Sequence, residues 1–343
     1  MNSHRFIRAL IGALVIVAAI SAVSCDERNT ADIPPVVYSL KQNILTNGSA
    51  QYVDLQDYLL GVAAASSGTY VYDISQLDSP VELFHRELAE PLYATGVAVD
   101  LVNRIVFTSA DGSSIGDRFP LDFIDTGERI GSALVDGPIV DMEFVSTTER
   151  FNLWTVDNSS GDGLSVSSYC YDTDLMDFLP NCIQDRFGYE HFSSRMRGMG
   201  RKGELFALAL NDYRVRLHDS NDAASLSEVE TPGDPYDCAW VGDFVLVADN
   251  FFITIINAAN IDSPMVVSTY VIPGADRLQK IVVDGNFAVL LDDSDGLYIV
   301  DVTDPMKPEL VQSISLPEPT CVSAYNGTMV ASDEQLGVLI YQR

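Results

Sequence analysis

The stretch "LYIVDVTDPMKPELV" at residues 297–311 decides the fold, because close copies of it recur along the chain. "TYVYDISQLDSPVEL" occupies 69–83, and "TIINAANIDSPMVV" occupies 254–267. In each copy a short run of apolar, β-branched and aromatic residues ends in Asp or Asn, seven residues before a proline. Such runs, separated by prolines and Asp/Ser clusters, predict pairs of β-strands joined by turns and disfavour a helix.

Weaker copies occupy the same place in the middle of the chain: "PLDFIDTG" at 120–127, "SYCYDTD" at 168–174 and "RVRLHDSND" at 214–222. The residues that end the seven runs are Asp73, Asp125, Asp172, Asp219, Asn257, Asp301 and Gln342. Their average spacing is about 45 residues, which is the length of a four-stranded propeller blade. The sequence therefore predicts an all-β fold, a single seven-bladed β-propeller spanning residues 34–343.

The last copy stops at Arg343, before the outer strand that the other copies contain. The segment "ADIPPVVYSLKQNIL" at 31–45 is similar to "TDPMKPELVQSISL" at 303–316, which contains such an outer strand. We therefore expect the N-terminal strand, at 34–40, to lie beside 336–342, complete the final blade and close the ring. An open ring would instead expose two apolar sheet faces.

The copies at 69–83, 254–267 and 297–311 resemble the LVIVD-repeat family, which is named after a segment close to "LYIVD". The resemblance implies a β-propeller protein of a bacterial or archaeal cell surface. It also implies binding or adhesion rather than a reaction, because the family motif is structural and contains no catalytic residue.

The N-terminus predicts an address in the cell envelope. Two arginines precede the apolar run "ALIGALVIVAAISAV", and small residues then lead to Cys25. This pattern is typical of a secretory signal and resembles the lipobox of bacterial lipoproteins. We expect a signal peptide at 1–24, lipidation of Cys25 and a tether at 25–33, so that acyl chains anchor the protein to a membrane and it faces the periplasm or the cell exterior. Ordinary cleavage after Ser24 is the alternative.

The formal net charge of −29 restricts the partners. Such a charge repels nucleic-acid phosphates and anionic lipid headgroups, and the sequence contains no lysine- or arginine-rich cluster to offset it. Nucleic-acid binding is therefore not expected. The acidic surface is typical of a soluble, monomeric protein, and the expected partner is a protein, a peptide or a glycan.

In six copies, a second apolar run ends in an aspartate. These residues are Asp111, Asp157, Asp212, Asp249, Asp292 and Asp333. On one face of a propeller they would form an acidic ring able to hold Ca²⁺, which prefers several oxygen ligands. Alternatively, each aspartate bonds the backbone of its own turn. "DNSSGDG" at 157–163 has the oxygens and glycines of a calcium loop, and equally those of an exposed loop.

Four cysteines remain after Cys25. Cys170 and Cys182 flank a predicted hairpin, and we expect a cross-strand disulfide between them in an oxidising compartment. Cys238 and Cys321 begin strands of blades that are not neighbours. They are therefore expected to be buried free thiols.

The function that these observations favour is a binding or interaction scaffold, with the insertions at 111–119 and 157–165 as contact surfaces. The alternative is a carboxylate- and Ca²⁺-dependent hydrolase or lactonase. The innermost runs at 238–241 and 280–283 are mainly apolar, which counts against that alternative. A structural lipoprotein without a diffusible ligand is a third interpretation.

Overall fold

The computed structural model describes residues 37–88, 92–111, 118–134, 139–157, 164–172, 177–180, 194–219 and 225–343. These residues form twenty-eight β-strands and no helix, and the strands make seven four-stranded antiparallel sheets. The predicted all-β, seven-bladed propeller fold is therefore shown. No part of the described chain is a helix suited to crossing a membrane. The predicted signal peptide, Cys25 and the tether lie outside the described residues.

We number the sheets along the chain and give the strands of each in the order in which they pair. Sheet 1 contains β2 (Tyr52–Gln56), β3 (Leu59–Ala63), β4 (Thr69–Asp73) and β5 (Val81–Arg86). Sheet 2 contains β6 (Tyr93–Asp100), β7 (Ile105–Asp111), β8 (Arg118–Phe123) and β9 (Arg129–Leu134). Sheet 3 contains β10 (Ile139–Ser146), β11 (Arg150–Asp157), β12 (Leu164–Asp172) and β13 (Asp177–Pro180).

Sheet 4 contains β14 (Met196–Lys202), β15 (Leu205–Leu210), β16 (Arg214–Asp219) and β17 (Ser225–Glu230). Sheet 5 contains β18 (Pro235–Val241), β19 (Phe244–Asp249), β20 (Phe252–Asn257) and β21 (Met265–Val271). Sheet 6 contains β22 (Leu278–Asp284), β23 (Phe287–Asp292), β24 (Gly296–Asp301) and β25 (Glu309–Ser315). Sheet 7 contains β26 (Pro319–Tyr325), β27 (Thr328–Asp333), β28 (Gly337–Gln342) and the N-terminal strand β1 (Ser39–Ile44).

The first strands of the sheets surround a common axis, because they contact one another in the order β2, β6, β10, β14, β18, β22, β26 and then β2 again. The core is divided among the interfaces between neighbouring sheets. Leu121 of sheet 2 packs with Phe151 of sheet 3, for example, and Val330 of sheet 7 packs with Val53 of sheet 1. Burying each such side chain contributes about 1.5–3 kcal/mol.

Strand β1 forms the outer strand of sheet 7, with Ser39 opposite Gln342 and Ile44 opposite Val338. The pairing spans 39–44, slightly later in the chain than the expected 34–40. The entry to β1 is held in place from sheet 6. The side chain of Gln312 accepts bonds from the backbone N–H groups of Val37 (2.9 Å) and Tyr38 (2.8 Å) and donates to the Tyr38 carbonyl (2.8 Å).

A glycine precedes or begins the third strand in sheets 1, 6 and 7, and this recurrence has a steric cause. Gly68, Gly296 and Gly337 have φ of 82°, 121° and 84°, in the left-handed region that disfavours side chains. A Cβ at Gly296 would lie 2.1 Å from the Ile314 carbonyl oxygen of the paired outer strand. The outer strand therefore approaches too closely for any other residue.

Three of the residues that end a repeat run fix a turn: Asp73, Asn257 and Asp301. Asp73 accepts a hydrogen bond from the Ser75 N–H (2.8 Å), and Asp301 accepts one from the Thr303 N–H (2.8 Å). Such a bond from the backbone two residues onward is the Asx-turn that Asp and Asn favour. The repeat noted in the sequence is thus a repeat of backbone geometry.

The antiparallel order places the connections on two faces. The lower face contains the turns from first to second strands, such as 285–286, and the connections from third to fourth strands. The upper face contains the turns from second to third strands, such as 293–295, and the connections from each fourth strand to the next sheet. Because Ser39 lies opposite Gln342, the chain enters β1 at the lower face.

Replacing Gly337 by alanine should destabilise the junction between β1 and β28. Its φ is 84°, and an added Cβ would lie 2.5 Å from the Ile44 carbonyl oxygen. Gly242, with φ 55° and no atom within 4 Å of an added Cβ, supplies the control. We expect Gly242→Ala to lower the free energy of unfolding by about 1 kcal/mol and Gly337→Ala by about 2–4 kcal/mol in urea titrations. Equal losses would contradict the steric explanation.

Candidate functional site

Three of the six predicted site aspartates bond the backbone of their own sheet. Asp292 is fully buried and accepts hydrogen bonds from the N–H groups of Asp276 (2.7 Å) and Arg277 (2.8 Å). Asp333, also fully buried, accepts bonds from the N–H groups of Glu318 (2.9 Å) and Leu336 (2.8 Å). The bonds from Asp276, Arg277 and Glu318 hold the connection that enters the sheet, and the bond from Leu336 holds the turn that follows Asp333, which is the turn interpretation.

Asp249 has the same arrangement, with bonds from the Gly233 N–H (3.1 Å) and the Thr254 hydroxyl (2.7 Å). The protonation equilibria of these carboxyls differ. Burial raises the pKa of Asp249, and its hydrogen bonds offset this only in part. Burial alone would also raise the pKa of Asp292, but the hydrogen bonds from Ser294 and from the backbone outweigh burial and lower the pKa. Denser hydrogen bonding to the carboxylate accounts for the difference.

The other three aspartates do not join them in a site. Asp111 is exposed at the end of β7. Asp212 lies two residues beyond Leu210, where β15 ends, and its side chain bonds Ser194 and Arg214. Asp157 ends β11, and the rest of the 157–163 loop lies outside the described residues. Within the described part of the chain, no group of three or more His, Cys, Asp or Glu side chains is placed to hold a metal ion. Ca²⁺ binding remains a prediction without a described site.

A different set of polar residues meets on the axis. The strand registers give seven equivalent positions in the first strands, and six of them directly follow a bulge. The seven residues are Tyr52, Gly96, Asp141, Gly198, Asp237, Lys280 and Cys321. Tyr52, Asp141, Asp237 and Lys280 form what we call the axial cluster.

The axial cluster joins sheets that are not neighbours. The Lys280 ammonium of sheet 6 lies 2.7 Å from an oxygen of Asp141 in sheet 3 and 3.6 Å from an oxygen of Asp237 in sheet 5. The Tyr52 hydroxyl of sheet 1 donates to the same Asp141 oxygen at 3.0 Å. Sheets 3 and 6 are three steps apart around the ring, so this ion pair crosses the axis.

The carboxylates of the axial cluster also bond the neighbouring sheets. The second oxygen of Asp141 accepts the Met199 N–H of sheet 4 at 2.9 Å, and Asp237 accepts the Ile281 N–H of sheet 6 at 3.0 Å. Asp54 of sheet 1 repeats the pattern by accepting the Val99 N–H of sheet 2 at 2.8 Å. Each of these aspartates therefore ties its sheet to the next one.

One ammonium between two carboxylates leaves a formal negative charge. Burial alone would lower the pKa of Lys280, but Asp141 and Asp237 outweigh it and hold the pKa of the ammonium well above its ordinary range. Burial raises the pKa of Asp237 to about 7, with Lys280 opposing the rise and Asp141 adding to it. Burial likewise raises the pKa of Asp54 to about 7. The axis therefore holds a charged lysine and carboxyls that take up protons near neutral pH.

The axial cluster was not predicted from the sequence. The innermost runs at 238–241 and 280–283 are mainly apolar, yet Lys280 and Asp237, which directly precedes the first run, contact each other on the axis. The signal was a charged residue two positions after the start of a first strand, at Asp141, Asp237 and Lys280. Because the ammonium is held in its charged form, it is suited to ion pairing and not to nucleophilic attack.

The cysteines follow the sequence expectations as far as they are described. Cys238 and Cys321 are buried free thiols. Burial raises the pKa of Cys321 to about 11 and that of Cys238 well above its ordinary range, so both are protonated at neutral pH. Cys170 lies in β12 opposite Leu179 of β13, whereas Cys182 lies outside the described residues. The disulfide stays a prediction.

Large aromatic side chains are exposed mainly at upper-face connections. Tyr213 and Phe251 occupy turns between second and third strands, with 59% and 38% of their surface exposed, and Tyr93 begins β6 with 51% exposed. Tyr213 also has a φ of 67°, which is unusual for a bulky residue. On the lower face of the described chain, Tyr325 is the exposed aromatic residue. Exposed Tyr and Phe side chains are enriched at protein interfaces.

Comparison with known proteins supports the fold and nothing finer. No family model matches this chain, and no curated protein matches it. Among solved structures, the crystal structure of the computationally designed Ika8 protein is similar to this chain, with a TM-score of 0.60 and 10% sequence identity. The similarity covers 87% of this chain and 97% of the Ika8 chain. At that identity the likeness shows the fold alone.

Replacing Lys280 by methionine should leave two buried carboxylates unpaired. We expect a loss of about 3–5 kcal/mol of unfolding free energy at pH 8, because removing one member of a buried ion pair leaves the other charge buried and uncompensated. Burial raises the pKa of Asp237 to about 7 in the folded state, so its protonated form is favoured as pH falls through about 7. The loss should therefore be smaller at pH 5.5, as measured by urea unfolding at both pH values.

The matched control is Lys307→Met, because Lys307 is exposed. It should lower stability by less than about 0.5 kcal/mol at either pH. Subtracting the control removes the general effect of the −29 net charge on acidification. A loss for Lys280→Met that matches the control, or one that is larger at pH 5.5, would refute the structural role of the axial cluster.

Proposed function

We propose that this protein is a lipid-anchored binding scaffold of a bacterial cell envelope, as its resemblance to LVIVD-repeat proteins implies. Its upper face would contact a protein, peptide or glycan partner. The observation that carries the proposal is the set of exposed aromatic residues, Tyr93, Tyr213 and Phe251, at upper-face connections of a rigid fold. Rigid elements that present aromatic residues from loops are suited to recognition.

The position of β1 supports this orientation. The chain enters β1 at the lower face, where the Tyr38 hydroxyl bonds Asp284 and the Gln312 amide holds the backbone of Val37 and Tyr38. Eleven residues lie between Cys25 and Val37. A chain of that length reaches at most about 40 Å. A lipid on Cys25 would keep the lower face nearer the membrane and leave the upper face open to a partner.

The hydrolase or lactonase alternative loses its main support. Asp249, Asp292 and Asp333 are three of its six candidate ligands, and their oxygens accept hydrogen bonds from backbone N–H groups and nearby hydroxyls. In the axial cluster, Lys280 pairs with Asp141, which also ties sheet 3 to sheet 4. Both arrangements favour a scaffold in which polar residues stabilise the ring and exposed loops carry recognition.

The anchor is tested by Cys25→Ala in a bacterial host. Wild-type chain should incorporate labelled palmitate and sediment with membranes, because acylation supplies the anchor. Cys25→Ala should incorporate none and shift to the soluble envelope fraction. A Cys25→Ala chain that still carries label would show that the lipid is elsewhere. A wild-type chain without label would indicate ordinary cleavage after Ser24 and no lipid anchor on Cys25.

The contact face is tested by photo-crosslinking in cells with the full chain. A photo-reactive phenylalanine derivative replaces Tyr213, Phe251 or Tyr325 one at a time, so that each change substitutes one exposed aromatic side chain for another. Positions 213 and 251 should give a discrete crosslinked species in about tenfold greater yield than position 325. Equal yields at all three positions, or a product at 325 alone, would rule out the upper face as the contact surface.

A further inference from the structure

Strand β21 differs from the other outer strands in composition. Its sequence, "MVVSTYV" at residues 265–271, contains no charged residue and no proline. It is the outermost strand of sheet 5 and pairs with β20. Its other edge therefore presents a row of backbone N–H and C=O groups that no described strand completes.

Proteins normally protect such edges with charge or proline. The remaining outer strands do carry charged residues: Lys41 in β1, Glu82 and Arg86 in β5, Arg129 in β9, Asp177 in β13, Glu228 and Glu230 in β17, and Glu309 in β25. Among the described outer strands, β21 is the one that lacks this protection.

The side chains of β21 are divided between the core and solvent. Val267 and Tyr270 pack against the apolar cluster between sheets 5 and 6, and the Tyr270 hydroxyl accepts the Leu310 N–H of sheet 6 at 3.1 Å. Met265 and Val271, in contrast, are 59% and 54% exposed. Because Met265 pairs with Asn257 and Val271 with Phe252, the two exposed side chains lie at opposite ends and on opposite faces of β21. The strand is therefore fixed in place while its edge and one apolar side chain on each face remain available.

We propose that the free edge of β21 binds an extended segment of a partner chain as a fifth strand of sheet 5. The segment would alternate apolar and basic residues. In this binding mode main-chain hydrogen bonds supply affinity, and alternate side chains supply specificity. The proposal deepens the scaffold function and rests on it, since it adds a second contact surface and states the chemistry of its occupant.

The charge distribution favours a basic partner segment over a second copy of the chain. Two copies would each bring a net charge of −29, and pairing one seven-residue strand covers far less than the roughly 1,200–2,000 Å² of a stable interface. The exposed carboxylate of Asp262 lies three residues before β21, and the net charge of −29 adds a general negative field. Basic residues in the segment would be attracted by this field.

The test uses the full chain, purified in detergent, and fluorescently labelled nine-residue peptides with blocked termini. The probe alternates lysine and valine. One control peptide replaces lysine with glutamate, and another keeps lysine but has N-methyl groups on alternate amides, which prevents strand pairing. Fluorescence anisotropy should show saturable binding of the lysine–valine probe and at least about tenfold weaker binding of both controls.

Charge-neutral variants locate the site. Met265→Ser with Val271→Ser removes the exposed apolar side chain from each face of β21 and should weaken probe binding about tenfold. The matched control is Leu40→Ser with Val81→Ser, which removes two comparably exposed side chains from β1 and β5 and should leave binding within about twofold. Thermal unfolding of both variants checks that each remains folded.

The proposal is overturned if the lysine–valine probe does not bind, if the N-methylated peptide binds equally well, or if both double variants behave alike. The last two outcomes would indicate attraction to the acidic surface without strand pairing. Glutamate–valine binding of equal strength would reject the basic partner. None of these results affects crosslinking at positions 213 and 251, so failure at β21 is distinguishable from failure of the scaffold function.

Discussion

Packing of each sheet against two neighbours is the constraint on which the rest of the molecule depends. Apolar side chains lie in clusters at the interfaces between consecutive sheets, and the cluster that contains Val53 and Val330 joins sheet 1 to sheet 7. A single sheet of this size has two apolar faces and is not stable alone. The outer strand of sheet 7 is β1, which pairs with β28 and so covers an edge that would otherwise be open.

Polar residues stabilise the same arrangement where apolar packing ends. Near the axis the first strands converge, and their backbone N–H groups need partners across the gap between sheets. Asp54, Asp141 and Asp237 supply these partners, and Lys280 offsets part of the charge that they concentrate. The raised pKa values of Asp54 and Asp237 follow from placing carboxylates in a buried region with too few cations.

The repeat was predictable because its markers are tied to backbone geometry. Gly296 has no room for a side chain beside Ile314, and Asp301 bonds the backbone two residues onward, so both residue types recur in the sequence. The axial cluster was not predictable in this way. Tyr52, Asp141, Asp237 and Lys280 occupy equivalent positions but are of three different residue types, and a search for one repeated residue overlooks complementary ones. For the aspartates, sequence left two interpretations open, because a cation and a backbone N–H are bound by the same carboxylate oxygens.

The origin of the outer strand of sheet 7 has a consequence for the order of events during synthesis. Residues 39–44 leave the ribosome before their partners at 337–342. Bringing such distant segments together costs about 5 kcal/mol of chain entropy when no other structure shortens the separation. Assembly of the blades between them shortens that distance. Strand β1 therefore stays unpaired in a growing chain, and the seventh blade is incomplete until residues 337–342 have been synthesised.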